Sequence, residues 1–258
     1  MGPYQGFQLE RFRAHLKRLP KIVIGIFGTV GVAVGLIGPT PALADDSGGL
    51  NAVPFEFVGK VGDCGPGYPA GSGIVTAAWL RGMGLPDNGG LNSNPSDPTD
   101  NPNKKDPHFG LLLSKNGPTP DCSSSGARIT GVEGMIVGPG FELGFDYRNG
   151  THCGAGAARF NVIATDGFHF VGGCANAIPS NRTPAPQDPT QWTRVRFDTS
   201  DAFPPLSVGS EIQSISILYD EGTDATSAPD DPNGVGLTVL DNIDVDGMLI
   251  TRGPEGGN

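Results

Sequence analysis

Gly236-Leu237-Thr238-Val239-Leu240-Asp241-Asn242-Ile243-Asp244-Val245-Asp246-Gly247-Met248-Leu249-Ile250 is the stretch whose reading decides the fold. Ile243, Val245 and Leu249 fall on one side of it, and Asp244 and Asp246 fall on the other. That is the period-two pattern of a strand with one buried face. Asp241-Asn242 reads as a polar corner between two strand pieces, with side chains bonded to local backbone.

The same alternation recurs upstream. Over residues 210–220, Ile215, Ile217 and Tyr219 oppose Ser214, Ser216 and Leu218. Over 191–198, Thr193, Val195 and Phe197 oppose Trp192, Arg194 and Arg196. Over 141–148, Phe141, Leu143, Phe145 and Tyr147 oppose Glu142, Asp146 and Arg148. Residues 158–164 and 168–172 flank Thr165-Asp166-Gly167, a strong hairpin signal. On that hairpin Phe160, Val162, Phe168 and Phe170 are expected in the core, and Arg159, Asn161 and His169 outside. Further strands are expected over 53–58, 74–80, 109–114 and 127–132. Gly- and Pro-rich stretches separate them, and 81–107, 179–189 and 220–234 read as long loops. No helical period of useful length is present. These features predict an all-β chain folded as a two-sheet antiparallel β-sandwich.

The N-terminal end is different. Arg11, Arg13, Lys17, Arg18 and Lys21 precede an apolar run to Gly38, and small residues stand at Ala42 and Ala44. This is the layout of a secretory leader cleaved after Ala44. The alternative is a retained anchor, but the Gly-rich run is shorter than the ~20 apolar residues a span needs. The expected organisation is a leader over 1–44, a sandwich over 45–253 and a flexible tail over 254–258. Removing the leader takes away five basic residues and one acid, which leaves 12 basic, 26 acidic and a net charge of −14. So acidic a protein is a poor partner for nucleic acid or anionic lipid. The expected localisation is secreted, extracellular or periplasmic.

Cys64, Cys122, Cys153 and Cys174 all follow the leader, and an even count in an oxidising compartment fits two disulfides. An intervening hairpin favours Cys153–Cys174, which leaves Cys64–Cys122. Zinc is the alternative, with no C-x-x-C spacing to support it. Asn149-Gly150-Thr151 and Asn181-Arg182-Thr183 are glycosylation sequons.

Two kinds of site are candidates. The first is calcium. Asn242, Asp244, Asp246 and Gly247 imitate an EF-hand opening, but the twelfth position is Gly253 and not a bidentate Glu. A single Ca²⁺ held by sandwich loops is the better form, with Asp241 first and Asp220, Glu221 and Asp224 next. The second is a polar sheet face. If the strands adjoin, Trp192, Arg194, Arg196, Asp146, Arg148 and Asn161 make one array. A flat indole with planar donors and carboxylates is the mix that binds sugars, so polysaccharide or glycan is the expected partner. The alternative is an ordinary solvated face with Trp192 tucked at an edge.

Catalytic signatures are missing: there is no G-x-S-x-G elbow, H-E-x-x-H or phosphate loop. Glu133, Glu142 and Asp146 could form a glycosidase pair only by chance placement. His108, His152 and His169 stand alone and read as structural.

The closing strands, residues 212–224 and then 236–247 with Leu240-Asp241-Asn242-Ile243, resemble those of galactose-binding-like jelly rolls and related carbohydrate-binding modules of secreted bacterial proteins. The likeness covers about the last quarter of the chain. It implies a jelly-roll sandwich and places Asp241 at a recurring position whose role is often structural. It transfers no ligand-contact motif, so it speaks for fold more than function. The expected function is therefore a secreted, non-catalytic, carbohydrate-binding β domain. The alternatives are a structural or adhesive protein without a small-ligand site, and a divergent glycoside hydrolase.

Overall fold

The computed structural model describes residues 49–87, 108–177, 181–225 and 235–253. The expected leader, the stretch 88–107 and the tail 254–258 lie outside them, and the loops around 179 and 230 do so in part. The compact unit begins at Leu50.

Alternating residues set the strands. In chain order these are β1 (Asn51–Val58), β2 (Val75–Arg81), β3 (Phe109–Lys115), β4 (Ser123–Thr130) and β5 (Glu142–Arg148). Then come β6 (Arg159–Ala164), β7 (Gly167–Gly172), β8 (Arg182–Pro184), β9 (Trp192–Asp198) and β10 (Ala202–Phe203). The chain closes with β11 (Ile212–Tyr219), β12 (Leu237–Val245) and β13 (Met248–Ile250). They form two antiparallel sheets, so the fold is the expected β-sandwich. One sheet has six strands in the order β1-β4-β11-β6-β7-β10. The other has seven, in the order β2-β3-β12-β5-β9-β8 with β13 paired to β12.

The two long closing strands sit in the middle. β11 lies between β4 and β6, and β12 lies between β3 and β5. Ile215 stands opposite Ile129 and Val162, and Ile217 opposite Ala127 and Phe160. Leu240 stands opposite Leu111 and Tyr147. These side chains and Leu113, Leu143, Phe145, Phe197 and Ile243 are buried in one core. Phe145 meets Phe160 of the other sheet at 5.7 Å between ring centroids and its neighbour Phe197 at 6.2 Å. Such tilted pairs suit the ring quadrupoles.

The polar corner in β12 is a bulge. Asp241 pairs with Asp146 and Asp244 with Gly144, so β12 spends one residue more than β5. Asn242 takes up the excess with φ 43°. Asp241, Asn242 and Asp244 all gather on the outer side, while Ile243 and Val245 stay in the core. Asp246 and Gly247, both at positive φ, then make a two-residue hairpin turn.

Two expected orientations are corrected. Leu249 pairs with Asp244 and is 51% exposed, because the tight turn reverses β13 and puts Ile250, not Leu249, beside Ile243. On the β6–β7 hairpin, Ala164 pairs with Gly167, so the two-residue loop is Thr165-Asp166. That register sets His169 opposite Val162 on the core side, and it turns Phe168 and Phe170 outward with Ile163 and Asn161. A one-residue slip flips every side chain.

Both disulfides form as expected: Cys64–Cys122 with Cα atoms 5.6 Å apart, and Cys153–Cys174 at 5.2 Å. Such bonds persist in oxidising, extracytoplasmic surroundings. Among the described residues no helix is long and apolar enough to cross a membrane.

Phe145→Ala should destabilise the fold by about 3–5 kcal/mol, measured as a shift in urea unfolding, because it empties the junction between the sheets. Thr238 tests the opposite effect. Its hydroxyl is fully buried without a hydrogen-bond partner. Thr238→Val keeps the shape and removes the orphan, so it should stabilise by about 1 kcal/mol in the same assay. A loss of stability would contradict this.

Candidate functional site

The outer face of the seven-stranded sheet carries most of the expected polar array. Asp146 is completely buried there. Arg194 grips it from β9 through Nε at 2.9 Å and Nη2 at 3.1 Å, and Asn242 Nδ2 donates at 2.8 Å from β12. Arg196 Nη1 adds a longer contact of 3.4 Å. The hydrogen bond to Asp146 holds the Arg194 guanidinium above its ordinary value, against the opposing effect of burial.

Arg196 itself reaches further, crossing β5 to place Nε 2.9 Å from Asp244 on β12. Gly144 makes the crossing possible. It stands opposite both Arg196 and Asp244, and a Cβ at that position would lie 2.4 Å from Arg196 Cδ.

Asp241 lies beside Asp146 and accepts N–H bonds from Leu85 and Asn242 at 2.8 and 2.6 Å. Burial pushes its carboxyl up to about 7, and the Asp146 charge works in the same direction. One member of the pair thus favours its neutral form while the other is enclosed by cations and an amide.

Trp192 is where expectation fails. Its side chain is 0% exposed, packed with Leu85, Ala185 and Val239. The connection after β2 folds over it. Leu85 is tied to Asp241, Asp87 accepts from Arg148 Nε at 2.9 Å, and the Asp87 N–H donates to Asp188 at 3.1 Å. Trp192 therefore offers no stacking surface. Of its charged residues, this face shows Glu142, Arg148 and part of Arg194 to solvent.

Asn161 is not part of that array either. β6 joins the six-stranded sheet, so Asn161 and Arg159, with Phe168 and Phe170 of β7, face the opposite side of the sandwich. There the register lays out one row: Arg128 on β4, Ser216 on β11, Asn161 on β6, Phe170 on β7 and Phe203 on β10. The adjacent row is Ser214, Ile163 and Phe168. Phe203 is 52% exposed, while Phe168, Phe170 and Ile163 are partly exposed. Arg128 and Gln213 are exposed at the polar end.

This surface is braced. Asp220 binds Arg159 through both carboxylate oxygens at 2.6 and 2.8 Å, and Arg159 Nε donates to Asn161 at 3.1 Å. The guanidinium then lies 5.2 Å from the centre of the Phe170 ring, a cation–π contact. Phe203 is positioned by the turn below it. His169 meets the Pro204 carbonyl at 2.7 Å and Asp166 at 3.0 Å, and Asp166 also accepts the Ser207 N–H at 3.0 Å. Burial opposes the charge on Asp166, but the Ser207 and His169 hydrogen bonds outweigh it and hold the carboxyl down at about 2.

The expected metal residues are not gathered together. Asp241 is on the seven-stranded sheet, Asp220 is engaged by Arg159, and Asp224 accepts the backbone N–H and hydroxyl of Thr119 at 2.6 and 2.7 Å. Glu221 pairs with His152 at 2.6 Å. Among the described residues no group of three or more His, Cys, Asp or Glu is placed to hold a metal ion.

The aromatic row escapes sequence reading through the length of one loop. Reading Thr165-Asp166-Gly167 as a three-residue loop sets Phe168 opposite Ala164 and puts Phe168 and Phe170 in the core, whereas the two-residue loop sets Gly167 opposite Ala164 and puts both rings outside. A scan against protein-family models matched none, and searches of curated proteins and of solved structures returned no match.

Asp241 gives this site a measurable signature. Its folded value lies above the unfolded one of 3.8, so the folded state binds the proton more tightly. Its contribution is complete below about pH 4 and is lost as pH rises through about 7. Stability should fall across that window by up to about 1.4 kcal/mol per pH unit. Asp241→Asn should flatten the slope in pH-resolved denaturation, and an unchanged slope would refute the assignment.

Proposed function

We propose that this is an extracellular, non-catalytic β-sandwich that binds carbohydrate on the outer face of its six-stranded sheet. One observation carries the reading: Phe170 and Phe203 stand directly opposite each other with Phe168 one pleat along, in rows that run on past Ile163 to Ser214 and past Asn161 and Ser216 to Arg128. Neighbouring rings on this lattice are spaced ~5–7 Å. A pyranose ring presents C–H groups to such rings and hydroxyls to the polar border. The ordering of Phe170 by Arg159 lowers the entropy lost on binding. The N-terminal leader pattern and the two disulfides support secretion, and the resemblance of the closing strands to galactose-binding-like jelly rolls supports the ligand class.

A structural or adhesive role without a small ligand is the second reading. Burial of Trp192 and the enclosure of Asp146 favour it, since both withdraw the other sheet face from solvent.

The test is a glycan and polysaccharide screen of the secreted chain, repeated with calcium and with a chelator. Binding should be found, and Phe170→Ala or Phe203→Ala should weaken it about tenfold, the loss of roughly one stacking contact. Trp192→Phe should leave it intact. An empty screen, or binding untouched by Phe168→Ala, Phe170→Ala and Phe203→Ala, would favour the structural role. Binding that needs calcium would bring Asp220, Asp224 or Asp241 into service as ligands.

A further inference from the structure

Lys115 is a charged residue at a core position. It continues the inward register of Leu111 and Leu113 along β3 and is 1% exposed. Its ammonium donates to three main-chain carbonyls: Thr119 O at 2.9 Å, Asp121 O at 2.8 Å and Asp220 O at 3.0 Å. Three donors thus meet three acceptors, the full capacity of the group. The carbonyls come from the loop after β3, the approach to β4 and the end of β11. Carbonyl dipoles repel one another when they converge, so the arrangement needs a positive centre. Convergent carbonyls are also how proteins strip the hydration shell from simple cations.

The surroundings are consistent with that need. The carboxylates of Asp220, Asp121 and Asp224 act on Lys115 in favour of its charge, against burial, which pushes its ammonium below the usual lysine range. The two loops are stitched together above it. Thr223 N–H donates to Gly117 O at 2.9 Å, Gly222 N–H to Thr119 Oγ1 at 2.9 Å, and Thr119 N–H to Asp224 at 2.6 Å. Cys122, one residue past an acceptor carbonyl of the cage, is bonded to Cys64.

We propose that residues 119, 121 and 220 form a built cation site whose resident cation is the chain's own Lys115 ammonium, which closes this end of the sandwich as a bound metal ion would. The fold then carries its cation covalently. Its integrity at this end does not depend on the ionic composition of the surroundings. A vacated cage should accept ammonium or potassium, whose contacts with carbonyl oxygen are of similar length.

Three measurements on the full chain test this. Lys115→Met keeps the apolar stem and removes the charge, and it should lower the melting temperature by about 5–10 °C because three converging carbonyls lose the ammonium, although Asp121 O keeps a second donor in the Ser123 N–H. Lys115→Ala should melt lower still, and ammonium or potassium should restore part of the loss where choline at the same ionic strength does not. In the unmodified protein, the ammonium protons of Lys115 should give a persistent ¹H–¹⁵N NMR signal at neutral pH, protected from the exchange that erases exposed lysines. The proposal is overturned if Lys115→Met melts at or above the parent, if choline rescues as well as potassium, or if no protected ammonium signal is seen. The NMR arm decides the matter even if both variants fail to fold.

Discussion

The structure depends on where its last two long strands go. β11 and β12 each fill the centre of a sheet, and each pairs with strands laid down far earlier in the chain. Neither sheet is continuous until they are inserted. Ile215 and Ile217 bring the β4 and β6 halves of one sheet together, and Leu240 joins β3 to β5 in the other. Pairings of such high sequence separation carry a large loop-closure cost before they return any burial. The Cys153–Cys174 bond reduces that cost for the β4–β11, β3–β12 and β5–β12 pairings, whose intervening chain it shortens. The central strands can be strongly apolar on their inner faces because both their edges are satisfied by neighbours.

Period two made the sandwich legible. The alternation of Ile215, Ile217 and Tyr219, or of Leu143, Phe145 and Tyr147, follows from burying one face, and no competing period exists in those stretches. The disulfide partners were legible for a similar reason, since the β6–β7 hairpin brings its flanks together wherever its turn is centred. Register was the hard part. Whether the loop takes two residues, Thr165-Asp166, or three, with Gly167 added, decides the face of Phe168 and Phe170 and is settled by tertiary pairing, which a local pattern does not contain. The same holds for which strands adjoin. Trp192 and Asn161 share a period-two phase with polar neighbours, yet they sit on different sheets. Burial of Trp192 comes from the connection after β2, more than a hundred residues earlier, and nothing near Gln191-Trp192-Thr193 announces it.

The two outer faces show how polar groups can be spent differently on one scaffold. On the seven-stranded sheet the charges satisfy one another: Arg194 and Arg196 are used by Asp146 and Asp244, and the omitted side chain of Gly144 is what lets Arg196 reach across. A network of this kind contributes little net energy relative to apolar packing, but breaking it leaves uncompensated charge. Its value lies in fixing the bulge and the β5–β9–β12 alignment. On the six-stranded sheet the charges are used as props. Asp220 orients Arg159, Arg159 steadies Phe170, and the ring surface is left to solvent.

Charge then narrows which carbohydrates the proposed surface would hold. From residue 45 onward acids outnumber bases by 26 to 12, and several of those bases are not available to solvent. Lys115 and Arg159 are buried, and Arg196 is mostly covered by the acids it serves. Asp146 and Asp244 are withdrawn with them, so the surface field keeps the acidic sign of the count. A polyanionic glycan would approach against that field, whereas a neutral or basic polysaccharide would not. Arg128 at the polar end of the row is too little to reverse the balance. Neutral chains should bind at least as well as sulfated or uronic ones at low salt, where screening is weakest. A clear low-salt preference for the anionic chains would mean that the local field around Arg128 governs binding and that the net charge does not.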